Sequence, residues 1–493
     1  MLGLDTNPDC APVLLKSSTE LPEYLVGGTL YRTGPGGVGD SADKMKIKHF
    51  FDGFTQNHRF HIKDTSTVEY ACRSSCNALK QMYKEGSPDM ARVTSFGPRD
   101  PCQTYFQKFM SVVKMPLSES NVKTDDGLPA DIVNVGVTIK RDITGLVART
   151  DSNVFQILDP VTLEPLTKYN YSKFSGQSLD GQLTASHVEF SADGKTEYNY
   201  NLKLGKMPEY VVFSKTDGHI TELARFQAPG TYLHSFWTTD KYVVLALWQA
   251  EFWGGGIGVP LNKNVLQGIT QEWNSERETV FYVIDKDPSK SRDFKTYKGP
   301  AFFAFHTINA FEQDGEPVLD VCTYDNNRVL FDFMLDKFKN DMAGVQKNKA
   351  FVTRFKLHDG LAQTVFCYDT PLANLELPTI NPRFQNKEHR YVYGVNMQDK
   401  GQFLFEAIIR MDLKTGETLY FIEEDETPGE ALFVPDPESD EDDELAGVLL
   451  SVSLNLKTGK SALLVLDPAT MTVTARVQMD SKVNYGFHGS WAM

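Results

Sequence analysis

Short runs of apolar or alternating residues, separated by turn sequences, fill the second half of the chain and constrain its fold more than any other feature. Runs of this kind, rich in branched and aromatic side chains, are typical of β-strands. The sequence shows no long amphipathic helical segment beside them, so we expect an all-β fold. From Lys241 onward nine such runs follow one another: KYVVLALW, ETVFYVID, PVLDVCTY, AFVTRFKL, YVYGVNM, FLFEAIIRMDL, GVLLSVSLN, SALLVLD and VTARVQM.

The connectors between these runs repeat the same turn chemistry. DLKTG at Asp412–Gly416 and NLKTG at Asn455–Gly459 are near copies, and LDPVT at Leu158 has a counterpart in LDPAT at Leu466. An Asp or Asn that opens a turn and a Gly that closes it are typical of hairpins. Repeated hairpins over 493 residues favour a β-propeller over a sandwich. Since no Pro-, Gly- or Ser-rich linker divides the chain, we expect residues 1–493 to form a single domain.

Charge and cysteine content exclude several classes of protein. A net charge of −15 argues against a nucleic-acid partner, because such proteins concentrate Lys and Arg on one surface. Six cysteines are too few for a disulfide framework, and Cys72 and Cys76 have no second pair to complete a zinc site. The opening MLGLDTNPDC does not resemble a signal peptide, and no apolar stretch is long enough to span a membrane. We expect reduced thiols and a cytoplasmic location.

Four of the ten histidines lie in or beside strand-like or aromatic stretches. They are His187 in LTASHVEF, His234 in TYLHSFWTT, His306 in FFAFHTINAFE and His488 in NYGFHGSWAM. A single histidine of this kind is more often a packed core residue than a ligand, but neutral imidazole is also the commonest protein ligand for redox-active metals. Their spacing matches no local zinc motif. A metal site built from them would therefore join distant parts of the chain on the axis of a closed β structure.

Eight stretches of the sequence resemble the carotenoid cleavage oxygenase family. They occur in the family's order and span nearly the whole chain. The segments SFGPRDPCQTYFQKFMSVVK and NVGVTI are most similar to the fungal branch of torulene dioxygenases. The eight stretches are EYLVGGTLYRTGPG, HFFDGFTQNHRF, ASHVEF, YLHSFW, FFAFHTINAFE, LELPTINPRF, GEALFVP and YGFHGSW.

The resemblance implies a seven-bladed β-propeller with long loops capping one face and Fe(II) on its axis. It also implies that O₂ cleaves a carbon–carbon double bond of a carotenoid or apocarotenoid into two carbonyl products, both aldehydes, without an organic cofactor. The implied iron ligands are His187, His234, His306 and His488. Three acidic residues would accept hydrogen bonds from ligand imidazoles. These are Glu376 in LELPTIN, Glu430 in GEALFVP and Asp151, which stands where the family usually has Glu and could need a bridging water.

Two other functions remain open at this point. Family members that cleave phenolic alkenes, of the stilbene, isoeugenol or vinylphenol type, place a Lys beside the acidic residue. Here Arg149 and Thr150 precede Asp151, which favours a polyene, although Tyr105 or Lys108 could bind a hydroxyl instead. A non-catalytic binding propeller or a lipid isomerase is a third interpretation, and the retention of all four histidines argues against it.

The remaining expectations concern the surface and the chain end. FWGGGIGVPLNKNVLQGI, residues 252–269, could be an apolar entrance patch for an apolar small-molecule substrate, in peripheral contact with a membrane, or a buried loop between blades. The oligomeric state is left open. The last six residues are expected to contain no complete strand. Among the other histidines, His49 is expected to be structural, together with Asp52, whereas His219, His358 and His389 are expected near surface turns.

Overall fold

A computed structural model describes residues 8–37, 47–85, 96, 129–142, 144–173, 179–258, 265–269, 272–291 and 293–493. Within these ranges the chain forms thirty β-strands and few, short α-helices, which confirms the all-β prediction. No helix in the described ranges is long and apolar enough to cross a membrane. The α-helices are α1 (Asn77–Glu85), α2 (Val265–Ile269), α3 (Val329–Asp332), α4 (Leu335–Asn340) and α5 (Met342–Val345).

The strands are numbered in chain order. They are β1 (Cys10–Lys16), β2 (Thr29–Gly36), β3 (Phe54–Asp64), β4 (Thr67–Ser74), β5 (Thr138–Asp142), β6 (Gly145–Arg149), β7 (Phe155–Leu158), β8 (Pro165–Tyr169), β9 (Glu189–Phe190), β10 (Thr196–Lys203), β11 (Glu209–Thr216), β12 (His219–Gln227), β13 (Trp237–Thr238), β14 (Tyr242–Leu247), β15 (Thr279–Asp285), β16 (Lys295–Gly299), β17 (Thr307–Gln313), β18 (Glu316–Thr323), β19 (Phe351–His358), β20 (Leu361–Cys367), β21 (Glu376–Thr379), β22 (Tyr391–Asn396), β23 (Ala407–Asp412), β24 (Thr418–Phe421), β25 (Glu426–Pro428), β26 (Leu432–Pro435), β27 (Gly447–Asn455), β28 (Ser461–Leu466), β29 (Val473–Gln478) and β30 (His488–Ala492).

Each of the nine strand-like runs of the second half is a strand in the structure. The repeated turn sequences also have the predicted geometry. Gly416 and Gly459 close their turns at φ 74° and 68°, a left-handed conformation that glycine adopts without steric cost. Each of the two turns joins a pair of antiparallel strands, β23 with β24 and β27 with β28.

The strands pair into six hydrogen-bonded sheets within the described ranges. Five of these sheets have four or five strands, as propeller blades do, and the sixth has eight strands, β13 to β20. The seven separate blades predicted from the resemblance are therefore not found as seven separate sheets. The physical reason is one parallel residue pair, Lys298 with Leu361, through which β16 joins β20. The fold is propeller-like, and the long loops capping one face stay a prediction.

The last residues of the chain complete the sheet that the first residues begin. Its strand order is β1-β4-β3-β2-β30, and β30 pairs with β2 from Thr29 opposite Ala492 to Thr33 opposite His488. The ring of Trp491 lies where a Cβ at Gly28 would be, so that position requires glycine. The expectation that the final six residues contain no complete strand is wrong, because β30 is one.

Candidate metal centre

Four histidine side chains meet at one point in the described structure. Each stands at, or a few residues before, the start of a strand at the end of its sheet: His187 before β9, His234 before β13, His306 before β17 and His488 at the start of β30. Their potential ligand atoms all lie within 4.8 Å of one another. The structure thus brings together the four histidines that the sequence singles out.

The spacing of the ring nitrogens fits a shared metal ion. His488 Nε2 lies 3.1 Å from Nε2 of His187 and 3.1 Å from Nε2 of His306. Imidazole nitrogens at about 2.1 Å from a metal and at right angles to each other are about 3 Å apart. Burial, together with the neighbouring imidazoles, lowers the pKa of His187 and His488 well below the usual value. Neutral rings leave the nitrogen lone pairs free for a metal.

Carboxylates fix the orientation of three of the four rings. Each carboxylate accepts a hydrogen bond from the Nδ1–H of its histidine. The lone pair of Nε2 is therefore directed to the centre of the cluster. Among the described residues His187 has no carboxylate partner. The three pairs are His234 with Asp151 at 2.7 Å, His306 with Glu376 at 2.5 Å and His488 with Glu430 at 2.8 Å.

Asp151 reaches its histidine directly, so the bridging water considered for this shorter side chain is not needed. The Thr184 N–H donates to the Asp151 carbonyl at 3.0 Å, and this hydrogen bond fixes the backbone of the loop that carries Asp151. Its carboxylate also accepts the Tyr232 hydroxyl at 2.7 Å and the Ser186 N–H at 3.2 Å. Burial raises the pKa of Asp151, but the contacts with His234 and the other donors outweigh it, and the pKa lies below its usual value.

Glu376 is held by groups that the sequence did not point to. It accepts the Tyr324 hydroxyl at 2.9 Å and the Leu377 N–H at 2.8 Å. Burial raises the pKa of Glu376, but the contact with His306 and the hydrogen bonds from Leu377 and Tyr324 outweigh burial, and the pKa lies below its usual value.

Glu430 is held by a buried arginine. Arg32, only 2% exposed, donates from Nη1 to the Glu430 carboxylate at 3.0 Å and to the Glu430 carbonyl at 3.1 Å. The Gly489 N–H donates to the same carboxylate at 2.8 Å. Burial raises the pKa of Glu430 to about 7, against the opposing charge of Arg32. Arg32 stands in the GTLYRTGPG stretch, and its position among apolar residues was the one signal that could have singled it out.

The donor set is compatible with a metal centre. Four neutral nitrogen ligands without a carboxylate among them suit a transition metal, and the carboxylates behind three rings raise their basicity. The cluster of His187, His234, His306 and His488 can therefore bind a metal ion.

An aromatic cluster adjoins the imidazole of His234, and a cavity lies beside the other three imidazoles. The ring of Phe305 lies 6.0 Å from that of His234 and contacts Phe51 and Phe333, while Phe487 packs on Phe51. A separate cavity of about 160 Å³ is lined by none of these phenylalanines. Besides three of the imidazoles, its lining includes Thr138, Lys140, Arg149 and Ser186.

The other histidines lie outside the cluster. His49 is buried, and its Nε2 lies 2.9 Å from the Leu330 carbonyl, while Asp52 accepts the Phe96 N–H at 3.0 Å. His219 and His358 are exposed. The expectation that His389 lies near a surface turn is wrong.

His389 is buried rather than near a surface turn. It is 4% exposed, because its ring packs against an ion pair between strands. Its Nδ1 accepts from Asn309 at 3.1 Å, and its Nε2 lies 3.5 Å from Asp320.

The residues considered for a phenolic substrate and for a membrane patch have mixed outcomes. Tyr105 and Lys108 lie outside the described residues. In the stretch 252–269, Trp253 and Ile257 are exposed, whereas Phe252, Leu266 and Ile269 are buried. Residues 259–264 of that stretch lie outside the described ranges.

Comparison with known proteins gives one consistent family. Residues 6–493 match the family described as RPE65, retinal pigment epithelial membrane protein. The chain is 28% identical to a carotenoid dioxygenase of Neurospora crassa, over 97% of this chain and 88% of the relative. It is 29% identical to a torulene dioxygenase of Fusarium fujikuroi, over 97% and 90%, and 27% identical to human beta,beta-carotene 15,15'-dioxygenase, over 99% and 94%.

The fold itself is similar to that of a solved structure. Cobalt-substituted Synechocystis ACO superposes with a TM-score of 0.78 at 19% identity, over 100% of this chain and 98% of that one.

Proposed function

The chain belongs to the RPE65 family of carotenoid oxygenases, and from that premise we propose that it is an Fe(II)-dependent dioxygenase that cleaves a carbon–carbon double bond of a carotenoid or apocarotenoid. The observation that carries the proposal is the cluster of four imidazoles whose ligand atoms lie within 4.8 Å of one another. One double bond and one O₂ give two carbonyl groups, which are aldehydes where each carbon bears a hydrogen.

The residues of this chain would hold the metal ion, orient its ligands and shield the centre. His187, His234, His306 and His488 would hold the ion, and Fe(II) would supply the redox chemistry that lets dioxygen react with an alkene. Behind three of the rings, the carboxylates of Asp151, Glu376 and Glu430 keep Nδ1 protonated, so each of these Nε2 atoms stays available as a ligand. The described contacts assign no side chain the role of an acid or base toward substrate, so positioning carries the reaction.

The aromatic cluster beside His234 supports an apolar substrate. Phe305 lies against His234 and packs with Phe51 and Phe333, and Phe487 packs on Phe51, a surrounding suited to a conjugated polyene. No Lys stands beside Asp151, and the Arg149 guanidinium is paired with Asp142 at 2.7 Å and with Glu197 at 3.1 Å. A residue to hold a phenolic hydroxyl at that position is therefore not evident among the described residues. The names of the fungal and animal relatives favour carotenoids as the substrate class.

The proposal includes one seven-bladed propeller domain. The eight-stranded sheet consists of two antiparallel groups, β13–β16 and β17–β20, that meet through the single pair Lys298 and Leu361. Counted as two blades, these groups and the five other sheets give seven. An experimental structure with one continuous eight-stranded blade would contradict this count. A cytoplasmic location, with Trp253 and Ile257 in peripheral membrane contact, stays a prediction.

The test is a substrate panel. Iron-loaded protein is incubated in air with cyclic and linear carotenoids, apocarotenals, a stilbene and isoeugenol, and carbonyl products are identified by mass. We expect paired aldehydes from at least one polyene. If only the phenolic alkenes gave products, the substrate class would be phenolic alkenes and not carotenoids.

Two matched variants complete the panel experiment. His306→Ala removes a cluster imidazole, whereas His219→Ala removes an exposed histidine outside the cluster. Only the second variant is expected to keep wild-type product formation. Equal product formation by both variants would refute the assigned centre.

A further inference from the structure

Two cysteines face each other at the outer edge of the first sheet. Cys10 begins β1, and Cys72 lies directly opposite it in β4. Directly opposed residues of antiparallel strands have Cα atoms about 4.5–5.5 Å apart and side chains on the same face. That separation lies within the roughly 4.4–6.8 Å that a disulfide spans. Among the strand pairings of the described residues, this is the one that places two cysteines opposite each other.

The thiols already interact with each other. A hydrogen bond from Cys10 lowers the pKa of Cys72 to about 7, and the same contact together with burial raises the pKa of Cys10. The thiolate is the nucleophilic form of cysteine, and the lowered pKa favours Cys72 as the attacking member of the pair. Cys72 is 5% exposed, while Cys10 is partly exposed. A small oxidant can therefore approach from the Cys10 side.

The local strand geometry explains why the pair is isolated from the rest of the ladder. The register between β1 and β4 shifts after Cys10 and resumes at Val13 opposite Tyr70. Pro12, within the shift, has no N–H to donate to β4. The Cys10–Cys72 pair is thus set apart from the regular pairing that begins at Val13.

We propose that Cys10 and Cys72 form a redox-active pair that a hydroperoxide converts into a cross-strand disulfide. The Cys72 thiolate attacks the peroxide, the O–O bond breaks, and a sulfenic acid and hydroxide form. The Cys10 sulfur then displaces the hydroxyl group from Cys72, and its proton goes to the departing oxygen. The sum is two thiols and one hydrogen peroxide giving one disulfide and two waters.

The expected consequence is a more stable fold with an unchanged metal centre. The bond would close a loop of about 60 residues and reduce the conformational freedom of the unfolded chain. β4, β3 and β2 separate β1 from β30, which carries His488. The inference is therefore independent of the proposed function, and its failure would leave that function untouched.

The experiment compares the full chain after hydrogen peroxide with the full chain after a thiol reductant. We expect oxidation to lower the intact mass by about 2 Da, to reduce the thiol count from six to four, and to give one cross-linked peptide pair, Cys10 with Cys72. The melting temperature should rise by a few degrees and return when the reductant is added.

Single variants separate this pair from the other thiols. Cys10→Ser removes the partly exposed partner and should abolish both the cross-link and the melting shift. Cys367→Ser removes an exposed thiol outside the pair and should leave both unchanged. A cross-link through any other cysteine, a melting shift that persists in Cys10→Ser, or six free thiols after peroxide would overturn the proposal.

Discussion

Three carboxylates determine which nitrogen of each ring faces the centre, and neighbouring donors determine how those carboxylates lie. Tyr232 holds Asp151, Tyr324 holds Glu376 and Arg32 holds Glu430. A neutral imidazole can carry its proton on either nitrogen, so an acceptor at Nδ1 is what keeps the Nε2 lone pair available. The residues that contact carboxylates are therefore as much part of the centre as the histidines.

Removal of Asp151 should weaken the centre as much as removal of Glu376, because both carboxylates contact an imidazole directly. We expect Asp151→Ala and Glu376→Ala each to lower metal affinity by about 10–100-fold. The measurement is a Co(II) titration followed by absorbance. An Asp151→Ala variant with wild-type affinity would show that this carboxylate has no part in orienting His234.

Arg32 should matter for folding as well as for the centre. Arg32→Met leaves the Glu430 carboxylate buried without its cation, a change that costs about 3–5 kcal/mol. Arg32→Lys keeps the charge but loses the two-point contact, so its melting temperature should fall between those of the wild type and Arg32→Met. Thermal unfolding of the three proteins measures this order, and a wild-type melting temperature for Arg32→Met would contradict it.

The strand β30 joins the fold to the centre at the level of secondary structure. Its first residue, His488, contributes an imidazole, and the strand pairs with β2 along five positions, His488 included. Deleting the last six residues would therefore remove a strand and a ligand together. The two roles have to be separated by a substitution within an intact strand.

His488→Ala should separate metal binding from folding. Because β30 stays paired in this variant, we expect a melting temperature close to that of the metal-free wild type but a loss of metal binding. Deletion of residues 488–493 should lose both stability and metal binding, whereas deletion of Met493 alone, which is 73% exposed, should lose neither. Iron content and thermal unfolding are measured for the wild type and for these three variants. Full iron binding by His488→Ala would show that the His488 imidazole is not a ligand.

Whether the sequence predicts a feature depends on how far apart along the chain the interacting residues lie. Nine strands of the second half follow from local patterns, and the four histidines stand out because each lies in a distinctive stretch. Arg32 could not be assigned, since its partner Glu430 is 398 residues away. His389 looks exposed between charged neighbours in the sequence, but it packs against Asp320 of β18 and is buried there.

Across the whole molecule, the centre exists only when distant parts of the chain come together. The four histidines span residues 187 to 488, and each lies at the end strand of a sheet. The count of separate sheets was not predictable, because one residue pair between β16 and β20 merges two groups of strands. Convergence of the sheet ends is what gives the imidazoles their short separations.

The measurement that tests the central claim most directly is product formation as a function of bound iron. Metal-free protein receives Fe(II) in steps without oxygen, and O₂ and a cleavable polyene are then added. We predict that the initial rate of aldehyde formation rises in proportion to Fe(II) and stops rising at one ion per chain, and that His306→Ala gives no product at any step. Aldehyde formation by the metal-free protein, or wild-type rates from His306→Ala, would contradict the account.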